Sequence, residues 1–219
     1  MTRLPKRTSA SPIVAAAVAI AAAAFLEGCA PLVVGAAVVG GAMVVTDRRS
    51  SGAQVDDEVI EVKANSRIGE ALPGDNVRVN TTSYNRMVLL TGEVPKEGDK
   101  TTVEQVVARI DNVVSVVNEL TVGPPNSFNE KTKAAYTTTK VKASLVDAKD
   151  LFANQIKVVT HRGVVYLMGR ATEREATRAA EIARGVSGVV KVVKVFEILT
   201  EAELANTAPH TVAKPASAP

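Results

Sequence analysis

The 219-residue chain contains few of the residue types on which specialised sites depend. Aromatic residues make up 3% and tryptophan is absent, so a core must be built from Val, Ile, Leu and Ala. A single cysteine excludes a disulfide within the chain. Cys29, His161 and His210 lie far apart in sequence and form no metal-ligand pattern. The sequence therefore predicts a protein without a disulfide framework, a metal centre or a cofactor.

The motifs of the common enzyme classes are also missing. The chain has no Gly-x-Ser-x-Gly elbow, phosphate-binding loop, dinucleotide fingerprint or His-Glu-x-x-His helix. We interpret the carboxylate pairs Asp56–Asp57 and Glu173/Glu175 as charges that favour helix N-termini. His161 falls in a predicted hairpin turn, where we expect it to be exposed. The sequence predicts no catalytic residues.

The N-terminal segment is basic and then apolar. Arg3, Lys6 and Arg7 precede an uninterrupted apolar run over residues 13–26. As a helix, fourteen residues rise about 21 Å, which is short of the roughly 30 Å of a bilayer core. We interpret residues 1–28 as a secretory signal peptide.

The only cysteine follows this run directly. Leu26-Glu27-Gly28-Cys29 resembles the lipobox of bacterial lipoproteins, although Glu27 stands where a small or apolar residue is usual. The resemblance implies cleavage before Cys29, acylation of its sulfur and acylation of its new amine. Ala30, rather than Asp, implies sorting to the outer membrane. Three acyl chains anchor a protein firmly, whereas one alone binds weakly.

Residues 29–52 are predicted to form the acylated cysteine and an apolar, glycine-rich tether that ends in a polar linker at residues 46–52. Whether Gly35–Val45 inserts into the membrane stays open. Two alternatives are an idle cysteine in a membrane anchor and one long span over Ile13–Val45, interrupted by Glu27 and Pro31.

The remainder of the chain is an internal repeat. Three blocks recur in the same order at nearly fixed spacing. The blocks are VKAN (62–65) with VKAS (141–144), Val77–Gly92 with Ile156–Gly169, and Val107–Leu120 with Ile182–Ile198. In the second pair the first copy is longer, which implies two extra residues in its hairpin turn.

Each copy predicts the order αββαβ. The first helices are expected at 56–72 and 133–147, and a structural glycine, Gly92 or Gly169, closes each hairpin. Thr172 and Glu175 form a capping box at the second helix of the second copy. The predicted class is α+β, with two three-stranded sheets that each have helices on one face. Because a copy of this size is marginal alone, we expect the two to pack together.

This order, the closing glycine and the valine-rich segments ARIDNVVSVVNEL and ARGVSGVVKVVKVFEI resemble the BON domain. A lipobox followed by two such units resembles the dual-BON outer-membrane lipoproteins of proteobacteria. We place the first domain at 53–123, a linker at 124–133, the second domain at 134–200 and a disordered tail at 201–219. The resemblance implies a non-catalytic, periplasm-facing protein that binds phospholipid and supports envelope integrity.

The two copies carry opposite charge. Residues 56–122 contain seven Lys/Arg and twelve Asp/Glu, whereas residues 135–199 contain eleven Lys/Arg and six Asp/Glu. A basic domain held at a membrane is attracted to anionic headgroups by about 1 kcal/mol per cation near the surface. The alternative is that the opposite charges dock the two domains on each other.

The predicted lipid-binding surface lies on the first helix of the second copy. If Val141 and Leu145 face the core, four residues project outward, and an aromatic beside a lysine suits a headgroup interface. The resemblance points to the same helix, whose first-copy counterpart offers Asp57 and Glu61 instead. Alternatively, the tyrosine packs at the seam between domains. The predicted lipid-binding residues are Tyr136, Lys140, Ala143 and Val146.

The predicted ligand is an anionic, phosphatidylglycerol-like membrane surface. Nucleic acid is excluded as a partner because an exported protein meets little of it and the basic residues are not interleaved with aromatics. A second hypothesis stays open, in which the protein is an adaptor that docks on an outer-membrane assembly or cell-division complex.

Overall fold

The computed structural model describes residues 47–207, so the predicted signal peptide, Cys29, the apolar tether and the tail after residue 207 lie outside the described residues. Among residues 47–207, the helices lack the combination of length and hydropathy that a membrane span needs. The elements are α1 (Ser51–Ala71), β1 (Arg78–Tyr84), β2 (Met87–Val94), α2 (Glu97–Ala108), β3 (Ser115–Val122), α3 (Phe128–Asp147), a 3-10 turn (Ala153–Gln155), β4 (Ile156–His161), β5 (Val164–Ala171), α4 (Glu173–Arg184), β6 (Lys191–Ile198) and α5 (Glu201–Thr207).

Each copy has the predicted order αββαβ. The first two strands form an antiparallel hairpin, and the helix that follows returns the chain so that the third strand pairs parallel with the second. The sheet orders are β1-β2-β3 and β4-β5-β6. The α+β class is confirmed.

The helices of each copy cover one face of its sheet. In the first copy, Ile60 and Ala64 of α1 are buried with Val88 and Leu90 of β2. In the second copy, α3 and the alanine face of α4 form the corresponding core on β5, with the buried residues Val141, Leu145, Val165, Leu167, Ala179, Ala180 and Ala183. The predicted placement of helices on one face is confirmed.

The other faces of the two sheets pack on each other and form the domain seam. Its apolar part is a cluster of five buried side chains, Tyr84, Leu89, Tyr166, Met168 and Val195. Two ion pairs also cross the seam, Lys157–Glu61 at 3.1 Å and Arg162–Glu93 at 2.9 Å. Part of the opposite charge of the copies therefore docks them together, as the alternative interpretation expected.

Three helix boundaries differ from the sequence predictions because of capping side chains. The hydroxyl of Ser50 accepts a bond from the Ala53 amide, so α1 begins before residue 56. Ser127 and Glu130 form a capping box, so α3 begins inside the predicted linker. Thr200 and Glu203 cap each other, so the start of the predicted disordered tail is the helix α5.

The alignment of VKAN with VKAS is wrong in structural terms. Val62 is 71% exposed, whereas its supposed counterpart Val141 is fully buried. Val79 and Ile156 pair with the closing glycines at the same point of each hairpin. At that spacing the buried Ala64 and Ile68 are the counterparts of Val141 and Leu145. Both hairpins have two-residue turns, so the extra residues of the first copy do not lie in its turn.

The predicted closing glycines lie inside strands and are required by close backbone approach. A Cβ on Gly92, which has φ +125°, would lie 1.9 Å from the carbonyl oxygen of Arg78 across the hairpin. A Cβ on Gly169 would lie 2.6 Å from the carbonyl oxygen of Gln155. Both glycines let β1 and β4 pair closely with their neighbours.

Candidate membrane-binding surface

The outer face of α3 presents the predicted residues to solvent. Its inner face buries Val141 and Leu145. Tyr136 is 65% exposed, and Ala143 and Val146 are also exposed. Tyr136 therefore does not pack at the domain seam, which was the alternative placement.

Lys140 is half-buried and already has partners. Its ammonium lies 4.8 Å from the centroid of the Tyr136 ring, a cation–π distance. The same ammonium donates to the carbonyl oxygen and, at 2.8 Å, to the hydroxyl of Ser187 in the turn between α4 and β6. Lys140 thus fixes the position of Tyr136 and of this turn while leaving part of its charge on the surface.

A groove of about 470 Å³ lies beside these two residues. One side is α3, and the other sides are the β4–β5 turn at Arg162–Gly163 and the α4–β6 turn at Gly188. Arg162 and Gly163 both have left-handed backbone angles, φ 48° and 76°. A Cβ on Gly163 would lie 2.8 Å from the Val190 side chain, so this turn closes tightly against the groove rim.

Three cations and one carboxylate line the groove. The side chain of Lys133 is exposed and forms no hydrogen bond within residues 47–207, so its charge is free to meet a ligand. Arg162 donates to Glu93 at 2.9 Å and to the carbonyl of Pro124 at 3.0 Å, yet more than a third of its side chain stays exposed. The backbone amide of Ser127 lowers the pKa of Glu130, which stays ionised at the rim. The groove keeps an excess of positive charge.

The rim also offers apolar surface. Val190, next to the β4–β5 turn, is 82% exposed. With Tyr136 it places apolar side chains beside the cationic groove. Apolar and aromatic groups next to cations are the arrangement found where proteins meet the headgroup region of a bilayer.

The expectation that Asp57 of α1 faces outward was wrong. Asp57 is buried, and its carboxylate accepts bonds from the backbone amides of Asn85 and Arg86 at 2.8 and 2.7 Å. Asp57 therefore lies on the face of α1 that meets the turn between β1 and β2. Glu61 is half-buried and accepts from the Ser83 amide at 2.7 Å and from Lys157.

His161 is the last residue of β4, not an exposed turn residue. Its side chain is 14% exposed, and Nε2 lies 3.0 Å from Oε1 of the buried Glu93. Burial lowers its pKa, so the ring is neutral at pH 7. It belongs to the domain seam. Within the described residues no cluster of three or more His, Cys, Asp and Glu is placed to hold a metal.

Sequence reasoning missed three residues of the surface. Lys133 lies one turn before Tyr136, at the first position of the predicted helix 133–147, and helical spacing from Tyr136 would have placed it on the same face. Arg162 and Val190 come from turns distant in sequence and carry no local signal.

Comparison with known proteins also finds two domains in this chain. The family model described as BON domain matches residues 56–124 and 133–200. The outer membrane lipoprotein DolP of Haemophilus influenzae is 40% identical over 190 residues, which cover 86% of this chain and 98% of that protein. A 21 kDa hemolysin of Actinobacillus pleuropneumoniae is 34% identical over 151 residues, which cover 68% of this chain and 78% of that protein.

Among solved structures, CdsD, a structural protein of the type III secretion system of Chlamydia trachomatis, aligns with 72% of this chain and 98% of its own. The TM-score is 0.29 and the identity 15%, values too low to support an argument about this protein.

Proposed function

The chain belongs to the BON-domain family, and from that premise we propose that it is a periplasm-facing outer-membrane lipoprotein whose second domain binds anionic phospholipid and supports envelope integrity. The observation that carries the proposal is the cationic groove beside the exposed Tyr136 on α3. The H. influenzae relative is named an outer membrane lipoprotein, which supports the location.

The binding has two parts. Acyl chains on Cys29 give membrane residence, and the groove gives headgroup preference. The phosphate of an anionic lipid meets Lys133 first, because its ammonium is exposed and unpaired within the described residues. Arg162 lies across the groove and adds a second cation. Tyr136 and Val190 enter the region between headgroups and acyl chains.

The test is vesicle co-sedimentation of residues 45–219, which form one compact unit, without the predicted anchor. Phosphatidylglycerol and phosphatidylcholine vesicles are compared. We expect binding to phosphatidylglycerol alone. Since a cation near the surface contributes about 1 kcal/mol, Lys133→Gln should weaken binding about fivefold. Tyr136→Ala should also weaken binding, because the interfacial aromatic is lost.

Lys149→Gln is the matched control. Lys149 is an exposed lysine of the same domain that does not line the groove. Binding should fall as salt rises, because surface charges are screened within about 10 Å at 0.1 M. If Lys133→Gln and Lys149→Gln weaken binding equally, the attraction is diffuse and the groove is not the site. If neither vesicle binds, the second domain has no lipid role.

One observation favours the second candidate, a protein-interaction adaptor. Val55, Val59 and Val62 form an exposed apolar stripe on α1, in the acidic domain. Their spacing places them on one helix face. A negatively charged domain is repelled by anionic lipid, so this stripe fits a protein surface better. Val59→Ser should leave vesicle binding unchanged and weaken capture of an envelope protein if the adaptor role holds.

A further inference from the structure

We propose that Asp47–Arg49, the segment that enters the domains from the N-terminal side, is a latch that holds the domain seam closed. We call these three residues the latch. It lies outside both matched BON ranges, and sequence reasoning treats it as a plain polar linker. The inference is independent of lipid binding, because it rests only on contacts between the latch and the two domains.

Arg48 fastens the latch to the second domain. Its guanidinium makes two 2.8 Å bonds to the two carboxylate oxygens of Glu175, the bidentate geometry in which such pairs are strongest. Both side chains are only 7% exposed. Arg48 also donates to the carbonyl of Arg170 at 2.8 Å, and Arg170 donates back to the carbonyl of Arg48 at 2.8 Å. The side chain and the backbone of Arg48 are therefore both hydrogen-bonded to the second domain.

Arg49 fastens the latch to the first domain. It donates to Asp57 at 2.9 Å and to Asp47 within the latch at 2.8 Å. Its guanidinium lies 4.3 Å from the centroid of the Tyr84 ring, which itself belongs to the seam. The Tyr84 hydroxyl then donates to the carbonyl of Gln155 in the second domain at 3.3 Å. Neighbouring arginines thus reach opposite sides of one seam.

No flexible segment separates the latch from the first domain on its C-terminal side. Ser50, the next residue, is the N-cap of α1, so the latch continues directly into a helix of the first domain. A pull on the chain before Asp47, or a partner that binds there, acts on Arg48 and Arg49 before it acts on α1. The contacts of the latch make the domain arrangement responsive to what happens at the N-terminal segment.

Trypsin digestion of the full-length protein in detergent tests the latch, because trypsin must reach Arg48, 7% exposed, and Arg49, 18% exposed, to cut after them. Glu175→Gln removes the charge that pairs with Arg48 but keeps a residue that serves in a capping box with Thr172. We expect cleavage after Arg49 to rise at least about tenfold, the change that 1.4 kcal/mol of latch free energy produces. Glu181→Gln, on the exposed face of the same helix, is the matched control.

Tyrosine spectra separate an opened seam from unfolded domains. The chain has three tyrosines and no tryptophan, and Tyr84 and Tyr166 both lie in the seam. In Glu175→Gln the near-ultraviolet tyrosine signal should change while the far-ultraviolet helix and strand signal stays. Equal cleavage in the Glu175 and Glu181 variants would overturn the latch. Loss of the far-ultraviolet signal together with faster cleavage would also overturn it, because the pair would then support folding and not domain closure.

Discussion

Removal of the Asp57 carboxylate should destabilise the first domain strongly. The carboxylate accepts four bonds, from the amides of Asn85 and Arg86, from the Ser83 hydroxyl at 2.6 Å and from Arg49. Asn85 and Arg86 are held at φ 49° and 67°, a left-handed region that residues other than glycine disfavour. Asp57→Ala leaves these turn amides unpaired and releases Arg49.

The magnitude follows from the number and kind of these bonds. Removal of one member of a buried charged network costs about 3–5 kcal/mol, because the partners are left without compensation. For a protein of 150–250 residues each kcal/mol lowers Tm by about 2–4 °C, so we expect a fall of about 10 °C. Urea unfolding followed by circular dichroism gives the free energy directly.

Three further variants make the test specific. Glu58→Gln, at the exposed neighbouring position, is the control and should cost less than about 0.5 kcal/mol. Asp57→Asn keeps one oxygen acceptor, so its loss of stability should lie between the losses of Asp57→Ala and Glu58→Gln. Adding Arg86→Gly to Asp57→Ala should recover part of the loss, because the second copy has Gly163 at this turn position. A loss under about 1 kcal/mol for Asp57→Ala would refute the reasoning.

Two other predictions follow from single contacts. Gly92→Ala should abolish cooperative unfolding of the first domain, measured by urea titration, because its Cβ would lie 1.9 Å from the Arg78 carbonyl; wild-type cooperativity would contradict this geometry. The hydrogen bond from Arg48 lowers the pKa of Glu175 in the folded protein. Its stabilisation is therefore present above the unfolded pKa of about 4.3 and is lost as pH falls through the lower folded value. In Glu175→Gln the free energy of unfolding should therefore fall less steeply as pH is lowered. An unchanged dependence on pH would argue against the Arg48–Glu175 ion pair.

The order of elements was predictable because the two copies repeat local patterns that depend on neighbouring residues. Hairpin turns, helix caps and strands are each recognisable from residue types within a few positions of one another. The capping box at Thr172 and Glu175 was predicted and confirmed. Ser127 and Glu130 carry the same signal, so α3 begins several residues before the predicted start at residue 133.

The register of α1 was not predictable from the best local match. VKAN and VKAS are nearly identical tetrapeptides, yet burial is decided by where a helix meets its sheet. The hairpins of the two copies match at a spacing of 77 positions, Val79 with Ile156, and the same spacing matches the buried Ala64 with the buried Val141, so the tetrapeptide match at 79 positions is out of register by two residues. The wrong alignment placed Asp57 on the surface, whereas its carboxylate is buried and accepts the amides of the hairpin turn.

Contacts between distant parts of the chain were not predictable from the sequence. Arg48 and Glu175 are 127 positions apart, and nothing in the Arg-Arg-Ser-Ser-Gly segment indicates a buried pair. The groove was half predictable, because helical spacing finds Tyr136 and Lys140 on α3. Its other wall, at Arg162 and Gly188, depends on turns that only the folded domain brings together.

The most direct test of the central claim is the ratio of phosphatidylglycerol to phosphatidylcholine binding for wild type and for the Lys133→Gln, Tyr136→Ala double variant. The account predicts a clear preference for phosphatidylglycerol in the wild type and its loss in the double variant, with far-ultraviolet circular dichroism unchanged. A preference that survives in the double variant would contradict the placement of the lipid site in the groove of the second domain.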